Sequence, residues 1–269
     1  MRVHHLNTGT MTPFGGKLVD GRPGLLRRAE LVCHCLLLET DTGLVLIETG
    51  MGTPAVSDPV RWLGRRFLAL SQPVTRADET AVSQLRALGF DPADVRDIVL
   101  THLDLDHAGG LVDFPRARVH VYAAELAAYR AGNKRYRQVQ FAHGPQWTSY
   151  ADAGDDWFGF SAVRELDGVP DVALVPLAGH TPGHAGIAVR TDTGWLLNAG
   201  DAYFFHSEID DPAAIPPGLA MFERFVQTVP EQRIANQQRL RELRRAGEVT
   251  IFAAHDRTDF ERLSQPDRV

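Results

Sequence analysis

Cysteine, long apolar runs and extended basic stretches are all scarce in this sequence. Of its 269 residues only Cys33 and Cys35 are cysteines, and two residues apart on one strand they are poorly placed for a disulfide. We expect both to be buried core residues, with a metal or redox role as the alternative. No apolar run reaches the roughly 18 residues of a candidate membrane span, and the N-terminus lacks the apolar segment of a signal peptide. These absences predict a cytoplasmic protein with no membrane partner.

A surplus of positive charge is also lacking. The chain has 28 Lys and Arg against 34 Asp and Glu, which gives a formal net charge of −6. A nucleic-acid surface needs a basic stripe, so we expect no nucleic-acid partner. No linker rich in Pro or Ser divides the chain, whose length is within reach of one large α/β domain. We expect a small-molecule substrate and a monomer or homodimer.

Apolar segments bounded by turn residues predict the strands. Residues 31–38 and 44–47 flank an Asp-Thr-Gly turn, and residues 187–190 and 195–197 flank a second turn of the same sequence. Two such matches indicate an internal duplication. Residues 53–76 are amphipathic and predict helices that either cover a site or lie on the surface.

Residues 99–110 carry the strongest chemical signal. An apolar strand is followed, within six positions, by four side chains that can bind metal: His102, Asp104, Asp106 and His107. Buried His and Asp side chains are costly to desolvate without partners, and a divalent cation, or two, is an economical partner. Three further candidates also follow apolar strands, namely His180, Asp201 and His255. All seven converge if those strands share one edge, so the sequence predicts a two-metal site.

The order of these motifs resembles the metallo-β-lactamase superfamily. It runs from Glu48-Thr49-Gly50 through His-x-Asp-x-Asp-His at residues 102–107 and Gly-His-Thr-Pro-Gly-His at residues 179–184 to Gly-Asp and a late His-Asp. The resemblance implies an α/β fold, an αββα sandwich of two mixed sheets with helices outside and metals at one edge. It also implies one domain spanning residues 1–269. The step of 21 residues from His180 to Asp201 is most similar to the acyl-homoserine-lactone lactonases.

The resemblance also implies a set of roles. His102, Asp104 and His180 would hold the first metal, Asp106, His107 and His255 the second, with Asp201 between them; His184 would not be a ligand. A hydroxide bridging the two metals would attack an ester-like carbonyl, with a lactone as the leading substrate and thioesters or aryl esters as alternatives. Asp106 would pass a proton to the leaving alkoxide. Zinc is the leading metal, with iron or manganese as alternatives.

Three positions depart from the family pattern. Asp104 stands where a His is usual, and Glu48 where an Asp is usual. Lactonases carry a tyrosine three residues after the bridging Asp; Phe204 is there, so Tyr203 one place earlier is the candidate to assist the carbonyl. The extra carboxylate at Asp104 shifts the ligands toward oxygen, which suits iron or manganese and weakens the metals as Lewis acids.

Other classes of function therefore stay open beside the hydrolase. A diiron redox enzyme fits the carboxylate at Asp104, although the chain has no flavin-binding domain to supply electrons. A metal-stabilised binding module and a nuclease are further alternatives, the latter contacting phosphate through Arg61, Arg65 and Arg66.

Overall fold

The computed structural model describes residues 1–151 and 153–265, and its strands form two mixed sheets. The first sheet has the strand order β4-β1-β2-β3-β5-β6-β7 and the second the order β13-β12-β11-β10-β9-β8. The strands of the first sheet are β1 (Arg2–Met11), β2 (Leu31–Thr40), β3 (Gly43–Ile47), β4 (Pro73–Val74), β5 (Val95–Val99), β6 (Arg118–Tyr122) and β7 (Gln146–Tyr150). Those of the second are β8 (Asp155–Trp157), β9 (Phe160–Leu166), β10 (Val169–Pro176), β11 (Ala185–Thr191), β12 (Gly194–Asn198) and β13 (Val249–Phe252).

Helices cover the outer faces of both sheets. They are α1 (Lys17–Asp20), α2 (Pro54–Ser57), α3 (Pro59–Leu63), α4 (Arg65–Ser71), α5 (Ala81–Ala87), α6 (Ala123–Arg130), α7 (Pro217–Val226), α8 (Pro230–Ala246) and α9 (Arg257–Leu263). Leu85 of α5 and Leu126 of α6 share a core cluster with the first sheet, and Leu240 and Leu243 of α8 share one with the second. Within the described ranges, no helix combines the length and apolar character needed to cross a membrane.

Strand β2 shows why the chain forms this sandwich. Leu36 and Leu38 point into the core between the sheets, where they join residues of the second sheet. Cys35 and Leu37 point to the opposite face, into the core beneath the helices. A strand buried on both faces reads as a continuous apolar run, which is the pattern of residues 31–38. The layers confirm the predicted αββα sandwich.

The two hairpins of the predicted duplication have matching turns. The Thr40 hydroxyl donates to the Gly43 carbonyl (2.7 Å), and the Thr191 hydroxyl donates to the Gly194 carbonyl (2.8 Å). Each hairpin then pairs in parallel with one more strand, β3 with β5 and β12 with β13. The repeat therefore extends from the turn to the strand that carries chemistry at its end.

Residues 53–76 form α2, α3, α4 and the short strand β4, and they are tied to the rest of the chain by side-chain contacts. The buried Trp62 indole donates to the carbonyls of Met51 (3.0 Å) and Gly109 (3.2 Å). The Arg66 guanidinium lies over the Phe225 ring of α7, 5.3 Å from its centroid. This segment therefore packs against α7 and against the loop that follows the residue 102–107 motif.

Candidate metal centre

The structure brings all seven predicted metal-binding residues together at one edge of the sandwich. His102, Asp104, Asp106 and His107 follow β5, whereas His180, Asp201 and His255 follow β10, β12 and β13 respectively. Loops after the carboxyl ends of strands present side chains from a rigid support, which is why residues so far apart in sequence meet here.

Asp201 lies between two groups of residues. Its Oδ2 is 3.3 Å from His180 Nε2 and 3.9 Å from His102 Nε2. Its Oδ1 is 3.1 Å from His255 Nε2 and 3.3 Å from His107 Nε2. We call His102, Asp104 and His180 the first cluster, and Asp106, His107 and His255 the second cluster.

The first cluster converges on one carboxylate oxygen. Asp104 Oδ2 is 3.1 Å from His180 Nε2 and 3.3 Å from His102 Nε2. His102 Nδ1 and the Thr101 hydroxyl share a hydrogen bond (2.8 Å), so Nε2 is the ring nitrogen that faces the cluster. Among the described residues, neither His102 Nε2 nor Asp201 Oδ1 has a hydrogen-bond partner, although both are buried. A divalent cation would satisfy such atoms, so the residues fit a metal.

The second cluster holds two imidazoles in close contact. His107 Nε2 and His255 Nε2 are 3.2 Å apart, and Asp106 Oδ2 is 3.6 Å from His255 Nε2. His255 is oriented by its Nδ1–H, which donates to the Val32 carbonyl (2.7 Å). Two lone pairs facing each other at this distance need a shared cation or proton.

Cys33 also contacts the second cluster. Its Sγ, a carboxylate oxygen of Asp106 and a ring nitrogen of His255 lie within 4.8 Å of one another. The cysteine is buried, as predicted, and burial raises the pKa of its thiol, while His255 opposes that rise. Its place beside Asp106 could not be read from the sequence, because Cys33 and Asp106 are 73 positions apart.

Glu48 orients His107. Its Oε2 accepts from His107 Nδ1 (2.9 Å), and its Oε1 accepts from the Thr101 amide (2.7 Å). Burial alone would lower the pKa of His107, but Asp201 and Glu48 hold it well above its ordinary value. A carboxylate behind a metal-binding histidine fixes the tautomer and raises the basicity of the other nitrogen. Glu48 therefore both orients His107 and holds the backbone at the start of the residue 102–107 motif.

His184 positions the backbone of Asp201, and neither of its ring nitrogens is free to bind a metal. Its Nε2 accepts from the Asp201 amide (2.9 Å), and its Nδ1–H donates to the Leu177 carbonyl (3.2 Å). Both ring nitrogens are thereby used, which agrees with the expectation that His184 is not a ligand.

Glu125, on α6, is a residue that sequence reasoning missed. Its Oε1 accepts from the Leu103 amide and the Tyr136 hydroxyl, both at 2.9 Å. Its Oε2 accepts from the Thr181 hydroxyl (2.7 Å) and the Gly183 amide (3.2 Å). This fully buried carboxylate joins the loops that carry the first cluster. A Glu in the first turn of a helix gave no signal of that role.

Arg135 is the second residue that sequence reasoning missed. Its Nε and Nη2 donate to the two carboxylate oxygens of Asp104, at 2.6 and 2.5 Å. Nη2 also donates to His180 Nε2 (2.6 Å), and Nη1 donates to the Val226 carbonyl (2.6 Å). Burial opposes ionisation of Asp104, but Arg135 and His102 hold the pKa of that carboxyl well below its usual range. Asp104 itself signalled a need for extra positive charge, but not which Lys or Arg would supply it.

Tyr203 is not brought to the metal centre. Its side chain is buried in the core cluster that contains Leu240 and Leu243 of α8, and its hydroxyl has no hydrogen-bond partner in the described part of the chain. Phe204 occupies the place near the clusters, with its ring 5.8 Å from those of His180 and His255. The one-residue shift therefore points the phenol into the core, and the structure does not support the predicted assistance to a carbonyl.

A narrow cleft adjoins the second cluster. His255 lines one side, and Phe204, Phe205 and Leu219 supply an apolar wall. Arg22, Glu30 and Asp256 also line the cleft, which therefore combines an apolar surface with charges of both signs.

Comparisons with known proteins agree with this geometry. Residues 28–255 match the family model of the metallo-beta-lactamase superfamily. A probable metallo-hydrolase of Mycobacterium tuberculosis is 40% identical over 264 residues, which cover 95% of this chain and 80% of that protein. An N-acyl homoserine lactonase of Bacillus thuringiensis is 28% identical over 235 residues, covering 87% of this chain and 84% of that one.

A solved structure shows the same fold. It is of an N-acyl homoserine lactone hydrolase with the product N-hexanoyl-L-homoserine bound at the catalytic metal centre. Its TM-score is 0.74 at 24% identity, over 97% of this chain and 95% of that chain.

Proposed function

Since the chain belongs to the metallo-β-lactamase superfamily and is a metal-dependent hydrolase, we propose that it cleaves an ester-like carbonyl compound at a site for two divalent ions. A lactone is the leading substrate, and zinc the leading metal. The N-acyl homoserine lactonases at 28% identity support the lactone, since their similarity covers most of both chains.

The observation that carries the proposal is the position of Asp201. Each of its two carboxylate oxygens lies within 3.3 Å of a different histidine, His180 on one side and His107 on the other. A carboxylate that faces two groups of nitrogen and oxygen ligands is suited to link two cations. This arrangement supports the assignment of His102, Asp104 and His180 to one ion and of Asp106, His107 and His255 to the other.

The chain's own residues would divide the remaining work. Bound ions would polarise the carbonyl oxygen and supply a nucleophile from water at neutral pH. Asp106, whose side chain is 12% exposed, would carry a proton to the leaving alkoxide. Glu48 and His184 would hold His107 and Asp201 in their orientations. The apolar wall of Phe204, Phe205 and Leu219 would receive the acyl portion of the substrate.

The experiment is a panel of lactones, thioesters and aryl esters assayed with protein of known metal content. We expect lactone opening with zinc or manganese and loss of turnover in His107→Ala. His4→Ala is the matched control, because His4 pairs with Glu39 at the far end of β1 and contacts neither cluster. Full activity in metal-stripped protein, or in His107→Ala, would contradict the proposal. Thioester cleavage without lactone opening would support the two-ion site but would replace the lactone with a thioester as the substrate class.

A further inference from the structure

Arg135 binds the same atoms that a metal ion in the first cluster would need. Its Nη2 lies 2.5 Å from Asp104 Oδ2 and 2.6 Å from His180 Nε2. An imidazole nitrogen has one lone pair, and a guanidinium has no lone pair and can only donate. His180 Nε2 therefore cannot accept from Arg135 and bind a metal at the same time.

The second cluster has no such competitor among the described residues. Its contacts are with Asp201, Glu48, the Val32 carbonyl and Cys33, all of which are acceptors or metal-compatible groups. The guanidinium of Arg135 is also fixed at its other end, where Nη1 donates to the Val226 carbonyl (2.6 Å) at the end of α7. The cation is thus held in the first cluster by α7 as well as by Asp104.

We propose that Arg135 is a tethered cation that competes with the metal ion for the first cluster, so that the two metal sites differ strongly in affinity. The second cluster, with Asp201, takes the tight ion. The first cluster takes an ion only when Arg135 leaves His180 and one oxygen of Asp104. The inference rests on the proposed function for its two-ion site and adds the order in which that site fills.

The pairing of Arg135 with Asp104 also explains why this chain tolerates Asp104 at a position where the metallo-β-lactamase superfamily usually has a neutral His. Asp104 adds one negative charge to the cluster, and Arg135 adds one positive charge 2.5 Å away. Together they have the net charge of a neutral His, so the site as a whole is not made more negative. A charge buried beside a carboxylate in this fork geometry forms strong hydrogen bonds, which any incoming ion must displace.

The experiment measures metal binding rather than turnover. Metal-free protein is titrated with Zn²⁺ against a chromophoric chelator, and the number of ions and their dissociation constants are fitted. For the native chain we expect one tight ion and a second bound about a hundredfold more weakly, the equivalent of two lost charge-assisted contacts. His102→Ala should remove the weak ion and leave the tight one.

The variant Arg135→Gln removes the competing cation. We expect the weak dissociation constant to fall about tenfold or more while the tight one stays within about threefold. Arg137→Gln is the matched control two residues away, because Arg137 donates to the backbone carbonyls of Arg61 and Trp62. The double variant Asp104→His, Arg135→Gln keeps the cluster's charge balance and provides a second route if Arg135→Gln alone fails to fold. We expect it to bind two ions tightly.

The possible results separate the inference from the proposed function. Two ions bound with equal affinity by the native chain, together with lactone or ester hydrolysis, would overturn the inference and leave the function standing. The inference would also be overturned, and the function left standing, if Arg135→Gln and the double variant both left the weaker dissociation constant unchanged. No Zn²⁺ binding by the native chain would overturn both.

Discussion

The two clusters share Asp201 but differ in the group that orients and balances their ligands. In the first, the Arg135 guanidinium lies against Asp104 and His180. In the second, the Glu48 carboxylate lies behind His107, on the side away from Asp201. A cation inside a ligand set competes with metal, whereas a carboxylate behind a ligand strengthens it. Two sites built from nearly the same residue types can therefore have opposite tendencies toward metal.

Asp201→Asn tests what the two clusters have in common. Asn loses one charge and replaces one carboxylate oxygen with an amide nitrogen, so one cluster loses its oxygen ligand and the link between them is broken. We expect turnover to fall by about a thousandfold or more, as for loss of a central electrostatic group in other enzymes. Steady-state hydrolysis with a matched metal supply is the measurement. Asp192→Asn is the control, since Asp192 is an exposed partner of the N-terminus; equal activity of the two variants would refute the shared role.

Glu48→Gln tests the second cluster alone. The amide keeps the size of the side chain and an oxygen for the Thr101 amide, but it no longer holds the charge behind His107. We expect a loss of about 10–100-fold in affinity for the tight ion, with the weak ion changed less. Chelator competition measures both constants. Glu39→Gln, at the end of β2, serves as the control, and a uniform loss at both sites would contradict the assignment.

Glu125→Gln is the corresponding test of the first cluster. Glu125 accepts four hydrogen bonds from the loops around His102 and His180, and an amide group must turn its –NH₂ toward one pair of those donors. We expect the free energy of unfolding to fall by about 2 kcal/mol, and the weak ion to lose more affinity than the tight one. Denaturant unfolding and chelator competition measure the two effects. Glu231→Gln, on the exposed start of α8, should change neither; a loss confined to the tight ion would be the wrong result.

Cys33→Ala should have the smallest effect, and only on soft metals. A thiolate prefers zinc or cadmium to manganese, so we expect Zn²⁺ and Cd²⁺ to bind the second cluster a few-fold, up to about tenfold, more weakly, with Mn²⁺ unchanged. Cys35→Ala is the matched control, because the Cys35 thiol contacts the Thr8 hydroxyl of β1. Equal responses of Zn²⁺ and Mn²⁺ would leave Cys33 as a core residue alone.

The sequence was sufficient for the fold and for the meeting of the seven residues, because each follows an apolar strand and the family's spacing places those strand ends on one edge. Sequence reasoning failed where a side chain acts through tertiary contact. Arg135 lies in an irregular segment, whose sequence has no periodicity from which the direction of a side chain could be predicted. Glu125 looks like an ordinary helix residue. Tyr203 failed for a local reason: neighbouring residues after a strand point in different directions, so a shift of one position exchanged its place with that of Phe204.

The split of the seven residues between the sheets makes a complete metal site depend on the packing of one sheet against the other. The four residues after β5 belong to the first sheet, and His180, Asp201 and His255 belong to the second. The first cluster includes His180 and the second includes His255. Neither sheet alone therefore supplies all the residues of either cluster. An ion bound here would therefore cross-link two sheets that share no strand, and its binding free energy would stabilise their association. Metal uptake measured during refolding would then report when the two sheets pack together.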